Sequence, residues 1–465
     1  MKYGGIANNQ KNVIFIFVIF IASIIFFVEL AKAHDLRKIF NFRRELKKVR
    51  KKRPIIKQMQ NEGILIGHAG KKEIYTSDSA KHYFICGTTG VGKTVTIANF
   101  IQRGIEKEHP MLIIDGKGDI GKGSVLDIVK KLNAGRKKLY IVNMSDTKNS
   151  NTYNPFKNAN TTMIKDMLIN MTDWTEEHYK VNAERYIQRL LQLLYTAEIP
   201  LSFQRIIQYL HTEKFMECSS MLMKEKIISK ESHIENMELA KTSGKIAQSS
   251  IARFSTIYES ELGGLFAEDG IDISEALREK AIILFVLNPL LYPEISPAIG
   301  RLITIDAKKA VGKLFGSGIN RTFFILDEIS SYASTGLTDL VNKSRSANVT
   351  CILATQSLSD LDFACGEAFK EQIIENCNNY IVMRQNSGVN AEHWANILGT
   401  RATMEVTYQL QQKGLNTGET GFGSAKRVRE FLYHPDDIKT LQTGKGIFLS
   451  RDTGITSELN INKPF

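Results

Sequence analysis

Residues 82–94, HYFICGTTGVGKT, constrain this chain more than any other stretch. Gly87-Thr88-Thr89-Gly90-Val91-Gly92-Lys93-Thr94 fits G-x-x-x-x-G-K-[ST] in full. The apolar Tyr83-Phe84-Ile85 precedes it as a short strand, and TVTIANFIQRGI follows with the spacing of a helix. Glycines let successive backbone N–H groups wrap phosphate oxygens, the lysine reaches the β and γ oxygens, and the threonine hydroxyl takes a position on Mg2+. A strand that delivers such a loop to a helix N-terminus predicts a bound nucleoside triphosphate.

A phosphate loop serves GTPases, kinases and motors alike, so its acidic partner narrows the choice. TFFILDE at 322–328 is an apolar strand ending in two carboxylates. Asp327 is expected to hold Mg2+ through water, and Glu328 to polarise the attacking water. Adjacent Asp and Glu, with no guanine-reading N-K-x-D, favour ATP hydrolysis over a switch GTPase. VTCILATQS at 349–357 is a further apolar strand, ending at Gln356. In a parallel sheet the C-terminal strand ends share one edge, which puts Gln356 in position to sense the γ-phosphate. Arg345, just before that strand, reads in two ways: a solvated surface residue, or a finger reaching a neighbouring subunit's ATP in a ring. Gly116-x-Gly118-x-x-Gly121, with Asp146 beyond the next strand, imitates a dinucleotide fingerprint. That pattern is weak by itself, and the plainer reading is a second βα unit with Asp115 and Lys117 at the active edge of the same sheet.

Strand-like runs near 83–86, 111–115, 138–143, 281–287, 322–326, 350–354 and 380–383 alternate with helical segments. This predicts an α/β, doubly wound, mostly parallel sheet of P-loop type. Between 161 and 278 the spacing is helical, as in VNAERYIQRLLQLLYTAE at 181–198, and predicts an inserted all-α domain. The five Cys form no CxxC pair and the sequence has no HExxH, which argues against a zinc site and for a reduced, cytosolic body.

Charge is concentrated at one end. Residues 34–57 hold eleven Lys and Arg against Asp35 and Glu45, a net of +9 out of +12 for the whole chain. Just before them, residues 13–28 are sixteen uncharged, largely apolar residues, and with Asn12 and Leu30 to Ala33 the stretch nears the ~20 residues that cross a bilayer. AKA at 31–33 resembles a signal-cleavage site, but the basic belt favours a retained single span with its C-terminal side in the cytoplasm. The belt reads as a topology and lipid-headgroup anchor.

Taken together, GHAG…HYFICGTTGVGKT, IIDGKGD, NTYNPF at 151–156, FFILDE, KSRSANVTCILATQS, IIENCNNYIVMR at 373–384 and SAKRVREFLYHPDDIKTL at 424–441 resemble the coupling ATPases of type IV secretion and conjugation. The resemblance covers most of residues 63–450 and implies a RecA-like motor core related to hexameric DNA pumps. It implies ATP and Mg2+ as ligands, with phosphate contacts from Gly87, Thr88, Thr89, Gly90, Val91, Gly92 and Lys93. Metal contacts would come from Thr94 and, through water, Asp327; catalysis would fall to Glu328, with Arg345 the trans-acting arginine and Gln356 the sensor. The implied organisation is an N-terminal segment (1–33), a basic linker (34–62), motor core (63–160 and 279–465) and helical insertion (161–278). The implied partners are single- or double-stranded DNA without sequence preference, a relaxase or other cargo, channel components, membrane lipid and further copies in a homo-hexameric ring. The place is a bacterial inner or plasma membrane. Many relatives have two spans where this sequence offers one. A chromosome-type DNA translocase would be expected to carry a DNA-orienting module, for which little room follows residue 450. A receptor that binds ATP without pumping is the other alternative, and a membrane protease lacks its metal-ligand motif.

Overall fold

The structure is a computed structural model describing residues 63–465 apart from 80, 175, 317, 319, 320, 414 and 415, together with residues 21, 23–26, 28 and 29. It divides into two units, residues 1–60 and 61–465. In the first, Ile21, Ser23, Ile24, Ile25, Phe26, Val28 and Glu29 are helical and exposed. Most of the apolar run 13–28 and all of the basic stretch 34–57 lie outside the described residues. Among the described residues, no helix is long and apolar enough to cross a membrane.

The second unit begins with β1 (Gly63–Ala69), β2 (Lys72–Ser77), β3 (His82–Cys86), α1 (Lys93–Glu106), β4 (Met111–Asp115), α2 (Val125–Asn133) and β5 (Leu139–Asn143). Six helices follow: α3 (Thr161–Asn170), α4 (Glu177–Thr196), α5 (Phe203–Leu210), α6 (Thr212–Lys224), α7 (Lys230–Tyr258) and α8 (Ile273–Arg278). The chain then alternates through β6 (Ile282–Val286), α9 (Ile295–Leu314), β7 (Thr322–Asp327), α10 (Thr335–Ser344), β8 (Val349–Thr355), α11 (Leu358–Cys365), α12 (Glu367–Asn376) and β9 (Cys377–Val382). It closes with α13 (Gly388–Leu398), β10 (Thr400–Lys413), β11 (Asn416–Phe431), α14 (Pro435–Lys439), β12 (Lys445–Ser450) and β13 (Ile455–Ile461).

Eleven strands form one sheet in the order β2-β1-β13-β12-β9-β3-β8-β7-β4-β6-β5. From β9 to β5 every neighbour is parallel. Those strands are near-continuous apolar runs because both faces are covered. Alternate residues divide between two cores: Phe84, Leu112, Ile114, Phe324 and Leu326 lie on one face. Tyr83, Ile85, Met111, Ile113, Phe323 and Ile325 lie on the other, against Ile97, Ile101 and Val129 of α1 and α2. Four strands outside the predicted parallel set, β12, β13, β1 and β2, extend the sheet antiparallel beyond β9. β10 and β11 pair only with each other, as a separate antiparallel hairpin.

The 20-residue α4 buries Ala183, Tyr186, Ile187, Leu190, Leu191 and Leu194, the helical spacing seen in the sequence. A buried polar knot ties the segment before α3 to the core. Lys309 of α9 pairs with Asp272 at 2.9 Å and Asp306 at 2.8 Å. The same ammonium donates to the carbonyls of Pro155 at 3.0 Å and Lys157 at 2.8 Å. The Tyr153 hydroxyl donates to the other Asp306 oxygen at 2.7 Å. NTYNPF thus acquires a physical role, since Tyr153 closes this knot while the Asn154 amide donates to the Glu268 carbonyl at 3.0 Å.

Candidate functional site

All the parallel strands end on one edge of the sheet, and the phosphate loop opens there between β3 and α1. Gly90 and Gly92 have φ of 77° and 114°, left-handed values that favour glycine and turn the loop sharply into the helix. The Thr88 N–H donates to the Arg384 carbonyl at 3.0 Å, and the Gly444 N–H to the Val91 carbonyl at 2.9 Å. The loop is therefore braced by the end of β9 and by the entry to β12. Thr89 stands at the exposed tip, Val91 is fully buried, and Lys93 is 3% exposed. The Lys93 ammonium donates to the carbonyls of Gly87 at 2.5 Å and Thr88 at 3.4 Å. Burial and then the Lys117 charge push this ammonium down, against the opposing pull of Glu328 and Asp327.

Strand order brings the acidic groups beside the loop: β8 lies next to β3, and β7 next to β8. Asp327 is fully buried, with one oxygen accepting the Glu328 N–H at 3.0 Å. Its other oxygen is buried without a hydrogen-bond partner. Burial raises the Asp327 pKa, Lys117 opposes the rise and Glu328 adds to it. Glu328 sits at φ 51°, a strained backbone position for a non-glycine residue, and is 7% exposed. Its two oxygens accept from the Ser330 hydroxyl and from the Gln356 amide, each at 3.1 Å. The Gln356 carbonyl oxygen accepts in turn from the Thr89 hydroxyl at 3.0 Å. A hydrogen-bonded line thus runs from the tip of the phosphate loop through Gln356 to Glu328.

An unpaired, buried carboxylate oxygen on Asp327 and the partly buried Thr94 at the start of α1 form an oxygen donor set that suits a hard divalent cation such as Mg2+. Arg345 lies elsewhere. It caps α10 just before β8 begins, so a whole strand separates it from Gln356 and the phosphate edge. It is exposed, and among the described residues no carboxylate is within ion-pairing distance. Its charge is felt instead by buried His82 at the start of β3, whose pKa burial lowers to about 4 with some help from Arg345. One chain therefore brings Lys93, Thr94, Asp327, Glu328 and Gln356 together and leaves Arg345 at the opposite edge.

Asp115, expected at this edge from the sequence, meets the phosphate site there, together with residues that were not expected. Asp115 ends β4 directly opposite Asp327 in the register of the two strands. Burial and then the Asp327 charge push its carboxyl up to about 7. Arg384 and Gly444 brace the loop through their backbones. Position at the C-terminal end of a parallel strand marked Asp115 in the sequence and was the available signal for Arg384, and it needed the strand order to set Asp115 beside Asp327. The dinucleotide-like pattern has no such use: Asp146 caps the short turn at 147–149, accepting the Asn149 N–H at 3.3 Å.

Comparison with known proteins gives a consistent picture. The family described as the central domain of helicase HerA matches residues 74–286, and that described as the TraM recognition site of TraD and TraG matches residues 321–443. An uncharacterized protein of Mycoplasma pneumoniae is 32% identical over 121 residues, 26% of this chain and 78% of that protein. The fold is shared with the bacterial conjugative coupling protein TrwB, with a TM-score of 0.63 and 16% identity over 88% of this chain and 91% of that one. A structure of TrwB with ADP and Mg2+ superposes with a TM-score of 0.62, 15% identity, and 88% and 92% of the two chains covered. VirB4 of Thermoanaerobacter pseudethanolicus gives 0.55 and 12% identity over 87% and 97%.

Proposed function

We propose, because the chain belongs to the type IV coupling-protein ATPases of the P-loop superfamily, that it couples ATP hydrolysis to the recruitment and translocation of conjugative DNA or protein cargo into a secretion channel. The observation that carries this reading is the line Thr89, Gln356, Glu328, which links the phosphate loop to the group suited to activate water.

In this reading the backbone of Gly87 to Gly92 cradles the phosphates and Lys93 meets the β and γ oxygens. Thr94, and Asp327 through water, hold Mg2+, which when bound neutralises charge on the β- and γ-phosphates. Glu328 orients and polarises the attacking water. Gln356, held by both Thr89 and Glu328, senses whether a γ-phosphate is in place and passes that state into β8. Arg345 completes the site of the next subunit in a hexameric ring, where its charge stabilises the phosphoryl group in transfer. Its position at the edge away from its own phosphate loop supports action in trans.

Residues 63–160 and 279–465 form the motor core, with 161–278 as its helical insertion and 34–62 as linker. The N-terminal segment, 1–33, places a single span over residues 13–28 in a bacterial inner or plasma membrane, with the body in the cytoplasm. Its support is the uncharged run, the +9 belt behind it, and the exposed helical Ile21, Ile24, Ile25, Phe26 and Val28.

The test is ATP turnover by the full chain in lipid nanodiscs, with single-stranded or double-stranded DNA. Turnover is expected to rise several-fold with DNA and to lose that stimulation as salt increases, because phosphate contacts in a pump are electrostatic and indifferent to sequence. Turnover unchanged by either DNA in ring-forming protein would remove DNA as the cargo.

A further inference from the structure

The loop Asp115-Gly116-Lys117-Gly118 is not a cofactor fingerprint, yet its construction is too constrained for a mere connection. A side chain at Gly116 would put its Cβ 2.8 Å from the Asp327 carbonyl oxygen and 2.9 Å from that of Glu328. At Gly118, where φ is 71°, the Cβ would fall 1.8 Å from the Leu287 carbonyl oxygen. The Gly116 N–H donates to the Asp327 carbonyl at 3.2 Å, and the Asp115 carboxylate accepts the Lys117 N–H at 3.0 Å. Gly116 and the buried Asp115 carboxylate thus hold the Lys117 backbone against the segment that carries Asp327 and Glu328, while Gly118 seats the far side of the loop on Leu287, just past β6.

We propose that Lys117 is a second cation of the nucleotide site, facing Lys93 across the position of the γ-phosphate and binding that phosphate directly. The assignment rests on the ATPase reading above and adds a ligand contact to it. Lys117 is partly buried, and its charge bears on both sides of the site. It favours the ionised forms of Asp327 and Asp115, and among neighbouring charges it has the largest influence on Lys93, opposing that ammonium. The loop backbone fixes Lys117 beside Asp327 and Glu328 at the phosphate edge, and among the described residues its ammonium has no ion-pair or hydrogen-bond partner, which leaves that cation for an anionic ligand. The terminal phosphate of a nucleotide held by the P-loop lies between the loop lysine and the acidic strand end.

The experiment uses the full chain and fluorescent ATP and ADP analogues in EDTA, so that neither hydrolysis nor metal enters the readout. Lys117→Met is expected to weaken the ATP analogue roughly 10- to 100-fold, the scale of losing a hydrogen bond to a charged group. The ADP analogue should change less than about threefold, and Lys117→Arg should recover most of the ATP affinity, because a guanidinium also binds phosphate. Equal weakening of both nucleotides, or no change in either, would overturn the assignment and leave Lys117 as a counter-charge to Asp115. A thermal midpoint matching wild type checks that the variant is folded. Wild-type protein that binds neither analogue would instead refute the ATPase reading itself.

Discussion

Replacing Glu328 with Gln should lower ATP turnover roughly 10²- to 10⁴-fold, the range associated with a positioned general base, while nucleotide affinity stays within a few-fold of wild type. The geometry explains the separation. Both Glu328 oxygens are hydrogen-bonded, to Ser330 and to Gln356, and the residue is almost fully buried, so the carboxylate has one orientation. Glutamine keeps the shape and loses the negative charge proposed to polarise water. The phosphate loop, held independently by Arg384 and Gly444, remains in place to bind nucleotide. Steady-state turnover beside fluorescent-nucleotide binding checks both halves. Near-wild-type turnover in Glu328→Gln would move the activating role to another group.

The second large effect concerns stability. Lys309→Met removes the ammonium between Asp272 and Asp306, leaving two carboxylates whose side chains are 0% exposed. Breaking a buried pair by deleting one partner costs about 3–5 kcal/mol, because the remaining charge has neither water nor a counter-ion. The carbonyls of Pro155 and Lys157 lose their donor as well. Burial already pushes the Asp306 carboxyl up to about 6, with Lys309 and Tyr153 opposing the rise. Urea denaturation followed by the fluorescence of Trp174 and Trp394 is expected to show a clearly lower midpoint. A midpoint equal to that of wild type would mean that the knot does not hold the segment before α3 to the core.

The parallel half of the sheet was legible in sequence because its strands are buried on both faces. HYFIC, MLIID, IILFV, TFFILD and VTCILAT read as apolar runs wherever they are met. The antiparallel half was not. GILIGHA, KEIYTS and ITSELNI carry glycine and polar residues, and β13 closes against β1 across nearly the whole chain length. The β10–β11 hairpin carries its own signal, since Ala402, Met404, Val406, Tyr408 and Leu410 alternate with polar residues. A search for continuous apolar runs passes over that period of two. At the site, Lys93, Thr94, Asp327, Glu328 and Gln356 were legible because each sits at a fixed offset from its strand end. Asp115 and Lys117 were legible as residues of the active edge, but their place beside Asp327 follows from β4 lying next to β7, and strand order is a tertiary fact.

In the proposed ring, each site takes its phosphate loop from one chain and Arg345 from the next. Full-length Arg345→Ala and Lys93→Ala proteins, each expected to be nearly inactive alone, should be mixed at varying ratios and assayed for ATP turnover. Where an Arg345→Ala subunit supplies the phosphate loop and a Lys93→Ala neighbour supplies the arginine, the interface is whole. Random mixing in equal amounts makes about a quarter of the interfaces of this kind in a closed ring. Recovery of turnover that peaks near equal mixing is the predicted result. No recovery at any ratio, in protein shown to exchange subunits, would contradict a site completed by its neighbour.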